Sequence, residues 1–167
     1  MRATCSKLGL TVAAVLAATA LAACGSGGGE TFTVRQDVPR LVEIETTEGK
    51  RRPGNLLAFD AALTRDGRPS GELSGLLTTV RVPESPGGAS AAIENRFGTL
   101  NFAFDERDSI IVSGATVYPA GQAEMQAGRA QVRAVIGGTG KYSGAGGQVT
   151  TTRQDDGTYL HEFELTD

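Results

Sequence analysis

The chain has 167 residues and a formal net charge of −3, with 16 Lys and Arg against 19 Asp and Glu, two cysteines and one histidine. Its basic residues are scattered, and with three tyrosines and no tryptophan it lacks both the cationic footprint and the stacking platforms of a nucleic-acid binder. So few thiols and imidazoles leave almost no soft ligands for zinc or copper, and neither a metal nor a cofactor is expected.

Arg2 and Lys7 precede an apolar run from Leu8 to Ala20, the positive n-region and short h-region of an export signal, too short to span a bilayer as a mature helix. The run ends in Leu21-Ala22-Ala23-Cys24-Gly25, which resembles the lipobox of bacterial lipoproteins; an ordinary secretory signal is the alternative. The resemblance implies removal of residues 1–23, acylation of Cys24 and a place on the extracytoplasmic face of the membrane. Residues 24–31 then form a Gly-rich tether and 32–167 a single domain. Cys5 leaves with the signal and Cys24 carries lipid, so the domain has no disulfide and relies on its apolar core.

After the tether, apolar and β-branched residues recur with period two in short runs, and no amphipathic helix of three turns is visible. The runs predict strands at Leu41 to Thr47, Leu56 to Thr64, Glu72 to Val82, Ala91 to Phe97, Thr99 to Phe104, Ile110 to Tyr118, Ala130 to Ile136, Gln148 to Arg153 and Thr158 to Leu165. Arg65-Asp66-Gly67-Arg68-Pro69, the segment Pro83 to Gly88 and Gln154-Asp155-Asp156-Gly157 carry hairpin chemistry between them. An open meander of that many strands would expose costly edges. The expected fold is therefore all-β, a closed antiparallel barrel of about eight strands, with a two-sheet sandwich as the alternative.

The glycines of Val135 to Val149 (VIGGTGKYSGAGGQV) lie between two β-type runs. A dinucleotide fingerprint fails because Gly144 comes one residue late and no helix follows. A P-loop fails because positions 135 and 142 are Val and Tyr. A sharp turn between strands is what remains.

The segments from Phe97 to Phe104, from Ser109 to Gly114, from Ala134 to Tyr142 and Gly147-Gln148-Val149 resemble, in order and spacing, the allene oxide cyclase and dirigent protein superfamily. That resemblance implies an eight-stranded barrel with an apolar internal cavity, commonly trimeric, in which a small hydrophobic molecule is held and its cyclisation guided. Glu43-Ile44-Glu45 is similar to the cyclase Glu-Ile-Asn, which makes Glu43 and Glu45 the candidate catalytic acids. Gly54 to Phe59 is similar to the cyclase Gly-Asp-Leu-Val-Pro-Phe, which makes Leu57 and Phe59 candidate cavity walls. Leu77 stands where the cyclase cysteine would be, and Ala61 where an asparagine would be. Two polar members of the plant site are thus absent.

Period two puts Leu41, Glu43 and Glu45 on one strand face and Val42, Ile44 and Thr46 on the other. Burying the valine and isoleucine leaves both glutamates in water. The opposite orientation turns the carboxyls into the cavity, where desolvation and mutual repulsion favour the protonated form, and leaves Val42 and Ile44 for a neighbouring subunit. Leu57, Phe59, Leu77, Ile93, Phe102 and Val132 are expected to fill or line the lumen. Asp60 has the wrong parity for it, and His161 reads as a hydrogen-bonded core residue. Alternatives are a non-catalytic module with a filled barrel and a lipocalin-like carrier.

Overall fold

The computed structural model describes residues 29–45, 52–82 and 93–166. The leader with Cys24 and the turn expected from Pro83 to Gly88 lie outside them. The strands are β1 (Thr31–Gln36), β2 (Arg40–Ile44), β3 (Leu56–Arg65), β4 (Arg68–Arg81), β5 (Ile93–Ala103), β6 (Ser109–Pro119), β7 (Gln131–Thr139), β8 (Gly146–Arg153) and β9 (Tyr159–Thr166). They form one antiparallel sheet in the order β1-β9-β8-β7-β6-β5-β4-β3-β2, with β1 also paired to β3.

That last pairing closes the barrel. Arg35 and Gln36 face Thr64 and Leu63, and beyond a break at Asp37-Val38-Pro39 the β2 residues Arg40 to Ile44 continue along Asp60 to Leu56. β1 and β2 are thus two halves of one strand, bent where Pro39 has no amide hydrogen to give the ladder, and the barrel counts eight strands. The β1 half was not among the expected strands. Its alternation is clear in three dimensions, with Phe32, Val34 and Gln36 inward. In sequence a six-residue run with Thr, Arg and Gln beside a Gly-rich tether is a weak signal. Pairing to β9 begins even earlier, where the Leu165 amide donates to the Glu30 carbonyl at 2.9 Å.

A second correction concerns Gly98. The runs expected on either side of it are one strand, β5, and Gly98 is no turn: it pairs with Leu77, whose side chain lies where a Cβ would stand. Gly75 serves Phe59 in the same way. The Asp66-Gly67 hairpin matches its reading, with both φ angles positive at 52° and 72° between the paired Arg65 and Arg68. The Val135 to Val149 glycines also form a β-to-β turn, a single 3₁₀ turn at Gly140–Tyr142. The Thr139 hydroxyl donates to the Arg107 carbonyl at 2.6 Å and the Lys141 amide to the Asp108 carboxylate at 3.0 Å, which ties this turn to the β5–β6 hairpin.

One end of the barrel is solid. Phe32 stacks on Phe163 at 4.8 Å between ring centroids, Phe102 meets Phe163 edge-on at 5.0 Å, and Tyr142 closes over Phe32 at 6.1 Å. Buried Val34, Leu63, Leu73, Ile110 and Val112 fill the space around them. Such aromatic pairs add about 1 kcal/mol each beyond their burial, so this end holds the cylinder while the other is left to the site.

Candidate functional site

The opposite end of the lumen holds a narrow cleft of about 30 Å³. Its walls differ in chemistry. Leu41 of β2, Leu57 and Phe59 of β3, Leu77 of β4 and Leu100 of β5 line one side. Gln36 of β1, His161 of β9, Thr151 of β8, Arg133 of β7 and Tyr118 of β6 line the other. Because β2 to β5 are contiguous in the sheet, as are β6 to β9 and β1, the lumen has an apolar half and a polar half.

The β6–β7 connection caps this end, bringing Ala123, Glu124 and Met125 to the cleft. A buried ion pair fixes the cap. Glu94 and Arg96 are 1% and 2% exposed and meet at 2.9 Å. Arg96 donates to the carbonyls of Ala123 at 2.9 Å and Gln122 at 2.6 Å, and Glu94 accepts from the Gly121 amide at 3.0 Å. The Arg96 guanidinium also lies 4.2 Å above the Tyr118 ring. Charges so deep are tolerated because each meets the other and the backbone of the loop, although the Arg96 Nε makes no hydrogen bond, and the reward is a loop held in one place.

His161 sits at the centre of the polar wall, 1% exposed. Its Nε2 lies 2.9 Å from Gln36 Oε1 and its Nδ1 3.0 Å from Thr151 Oγ1. An amide oxygen only accepts, so Nε2 carries a proton, and in the neutral ring Nδ1 receives the threonine hydroxyl. Burial, and then the charge of Arg133, push its pKa down from 6.5 to about 3. It is the hydrogen-bonded core histidine that its position suggested. At the mouth Glu124 accepts from Arg153 at 3.1 Å and from the Tyr159 hydroxyl at 3.4 Å. Burial, with the Glu124 charge second, holds the Tyr159 phenol far above its ordinary range.

Leu57, Phe59 and Leu77 all line the cleft. Val42 and Ile44 are 53% and 51% exposed, so the orientation that buries them is not the one adopted. Glu43 pairs with Leu57 and shares its face of the sheet, while Leu41 on that face reaches the cleft. Glu43 and Glu45 are themselves exposed. Asp60 points out and pairs with Arg40 at 2.9 Å.

Ile93 and Val132 do not line the lumen; they are exposed on the outer surface. β7 carries apolar residues on both parities, and its register puts Gln131, Arg133 and Val135 inward. The sequence reading missed the polar wall for this reason: hydrophobic alternation cannot find inward positions filled by Gln, Arg and Thr. Among the described residues no group of three or more His, Cys, Asp or Glu is placed to hold a metal ion, and no helix is long and apolar enough to cross a membrane.

No protein-family model matches the chain, and no curated protein matches it in sequence. Solved structures do. A pyocyanin demethylase superposes with a TM-score of 0.59 at 20% identity, over 82% of this chain and 98% of that one. A Diels-Alderase from Streptomyces koyangensis gives 0.56 at 16% identity, over 81% of this chain and 63% of the other. A pterocarpan synthase dirigent protein gives 0.51 at 18%, over 81% and 82%. At these identities the likeness is one of architecture: the chain shares with these proteins the fold of a closed antiparallel barrel.

Proposed function

We propose that this protein is a membrane-anchored extracytoplasmic barrel that binds a small hydrophobic molecule and guides its cyclisation or isomerisation by holding one reactive conformer. The two-sided cleft carries the reading: Leu41, Leu57, Phe59, Leu77 and Leu100 take the apolar body, and the polar wall fixes its orientation. Cyclase and dirigent activities among proteins of the same architecture support it. Glu43, on the lumen face of its strand, and Glu45 are the candidate acids, at the exposed end of the apolar wall. The cleft is narrow, so a guest has to displace the side chain of Met125, which is unbranched and adaptable.

Native mass spectrometry of the chain purified from its own host tests the binding. The wild type is expected to carry a small molecule that Leu57→Trp, which fills the lumen, loses at least about tenfold. Equal occupancy in both chains excludes the cleft as the site.

The same spectra report subunit number. A trimer fits the outer surface, where exposed Val42, Ile44, Leu76 and Phe97 form a band across β2 to β5.

For the anchor, Cys24→Ser is expected to move the protein from the membrane fraction to the soluble one. Several acyl chains at about 0.8 kcal/mol per buried methylene account for the retention, and an unchanged membrane fraction would contradict lipidation.

A further inference from the structure

Arg133 is the feature of the lumen that packing does not explain. It is 4% exposed, projects inward from β7 and borders the cleft. Its Nη2 donates to Thr116 Oγ1 at 2.8 Å and to Tyr118 Oη at 3.3 Å, while its Nε makes no hydrogen bond. The other buried guanidinium, Arg96, is neutralised by Glu94. Arg153 has Glu124, the carboxylate that also borders the cleft. The hydrogen-bond partners of Arg133, Thr116 and Tyr118, are both neutral hydroxyls.

A buried cation hydrogen-bonded to neutral hydroxyls is among the more expensive features a fold can retain, and a methionine of similar length would fit the same strand more cheaply. The surroundings do not relieve it. His161 across the polar wall is held neutral, so it adds no charge of either sign. Gln36 and Thr151, which complete that wall, are neutral as well. Of the carboxylates nearest the cleft, Glu124 at the mouth bonds Arg153 and Glu94 under the cap bonds Arg96.

Resting on the proposed binding of a small molecule in the cleft, we infer that its guest is an acid: an apolar body carrying an anionic oxygen, a carboxylate above all, which docks on the Arg133 guanidinium. The planar donor edge of arginine suits a carboxylate. Thr116 and Tyr118 accept from Arg133, which leaves their own hydroxyl hydrogens to donate to the same guest. The apolar wall of β2 to β5 then takes the rest of the molecule. Arg133 supplies one half of an ion pair, and the guest brings the other.

Isothermal titration of the purified full chain with trans-cinnamate and with cinnamamide tests this, because the two probes share size and shape and differ in charge. The wild type is expected to bind cinnamate at least about tenfold tighter than cinnamamide. In Arg133→Met the two affinities should converge, and in Arg133→Lys the preference for the anion should persist in part. Arg133→Met should also melt a few degrees higher than the wild type, as relief of an uncompensated buried charge requires; a structural arginine would instead leave a lower melting temperature. Equal wild-type affinities overturn the anion inference and leave the cleft as a binding site. A preference that survives in Arg133→Met overturns the role of that residue. Binding of neither probe overturns the inference together with the reading on which it rests. The wild-type comparison decides the matter even where a variant does not fold.

Discussion

Acidification from pH 6.5 to pH 4 is expected to remove about 3 kcal/mol of folding stability through His161 alone. In the folded barrel burial and Arg133 depress its pKa to about 3, whereas the unfolded chain titrates near the ordinary 6.5. Between those values the unfolded state holds a proton that the folded state does not. Stability is therefore complete above about pH 6.5 and declines by about 1.4 kcal/mol for each pH unit below it, until the folded ring itself protonates near pH 3. The geometry gives the same sign. A protonated ring would need to donate at both nitrogens, and although the Thr151 hydroxyl could turn to accept, the added charge would be buried beside Arg133. Urea unfolding of the wild type and His161→Gln at pH 7 and pH 4 measures the effect. The variant is less stable at neutral pH, because Gln36 and Thr151 lose a well-placed partner, but its acid slope should be shallower by the histidine share. Parallel slopes in the two proteins would show that His161 does not carry the acid sensitivity.

The second large effect is expected at Gly147, where alanine should destabilise the fold by about 3 kcal/mol. Its φ of 115° is strained for an L side chain, and a Cβ there would overlap the Glu164 carbonyl of β9, which is backbone and cannot step aside. Gly144, three residues earlier, is the control. Its φ is 83°, but nothing lies within 4 Å of the position a Cβ would take, so Gly144→Ala meets the conformational penalty only, about 1 kcal/mol. Thermal melting of the two variants should separate them clearly. If Gly147→Ala melts with Gly144→Ala, the β8–β9 pairing is not as close at Gly147 as the structure gives it.

These two residues also show how unevenly the molecule was written in its sequence. The glycines from Gly137 to Gly147 are legible as a turn because only a reversal between extended runs uses so many positive-φ positions so close together. Leu57, Phe59 and Leu77 were singled out by the resemblance to cyclase segments, and all three line the cleft. Arg133 and Gln36 are not legible. Each occupies an inward position that hydrophobic alternation assigns to an apolar residue, and each makes sense only beside partners distant in the chain: Gln36 meets His161 across 125 positions.

By itself the sequence determined the all-β class, the strands from Leu56 onward apart from the division of β5 at Gly98, and the turns at Asp66-Gly67 and Gln154 to Gly157, since these depend on local backbone preference and on period two. Closure of the sheet, the division of one strand into β1 and β2, and the pairing of β1 with both β9 and β3 were decided by tertiary structure, because they join segments with no local relation. So was the orientation of β7. Its apolar residues lie on both parities, and only its pairing with β8, alongside β6 with its register shift at Ile111 and Val112, turns Arg133 rather than Val132 into the lumen.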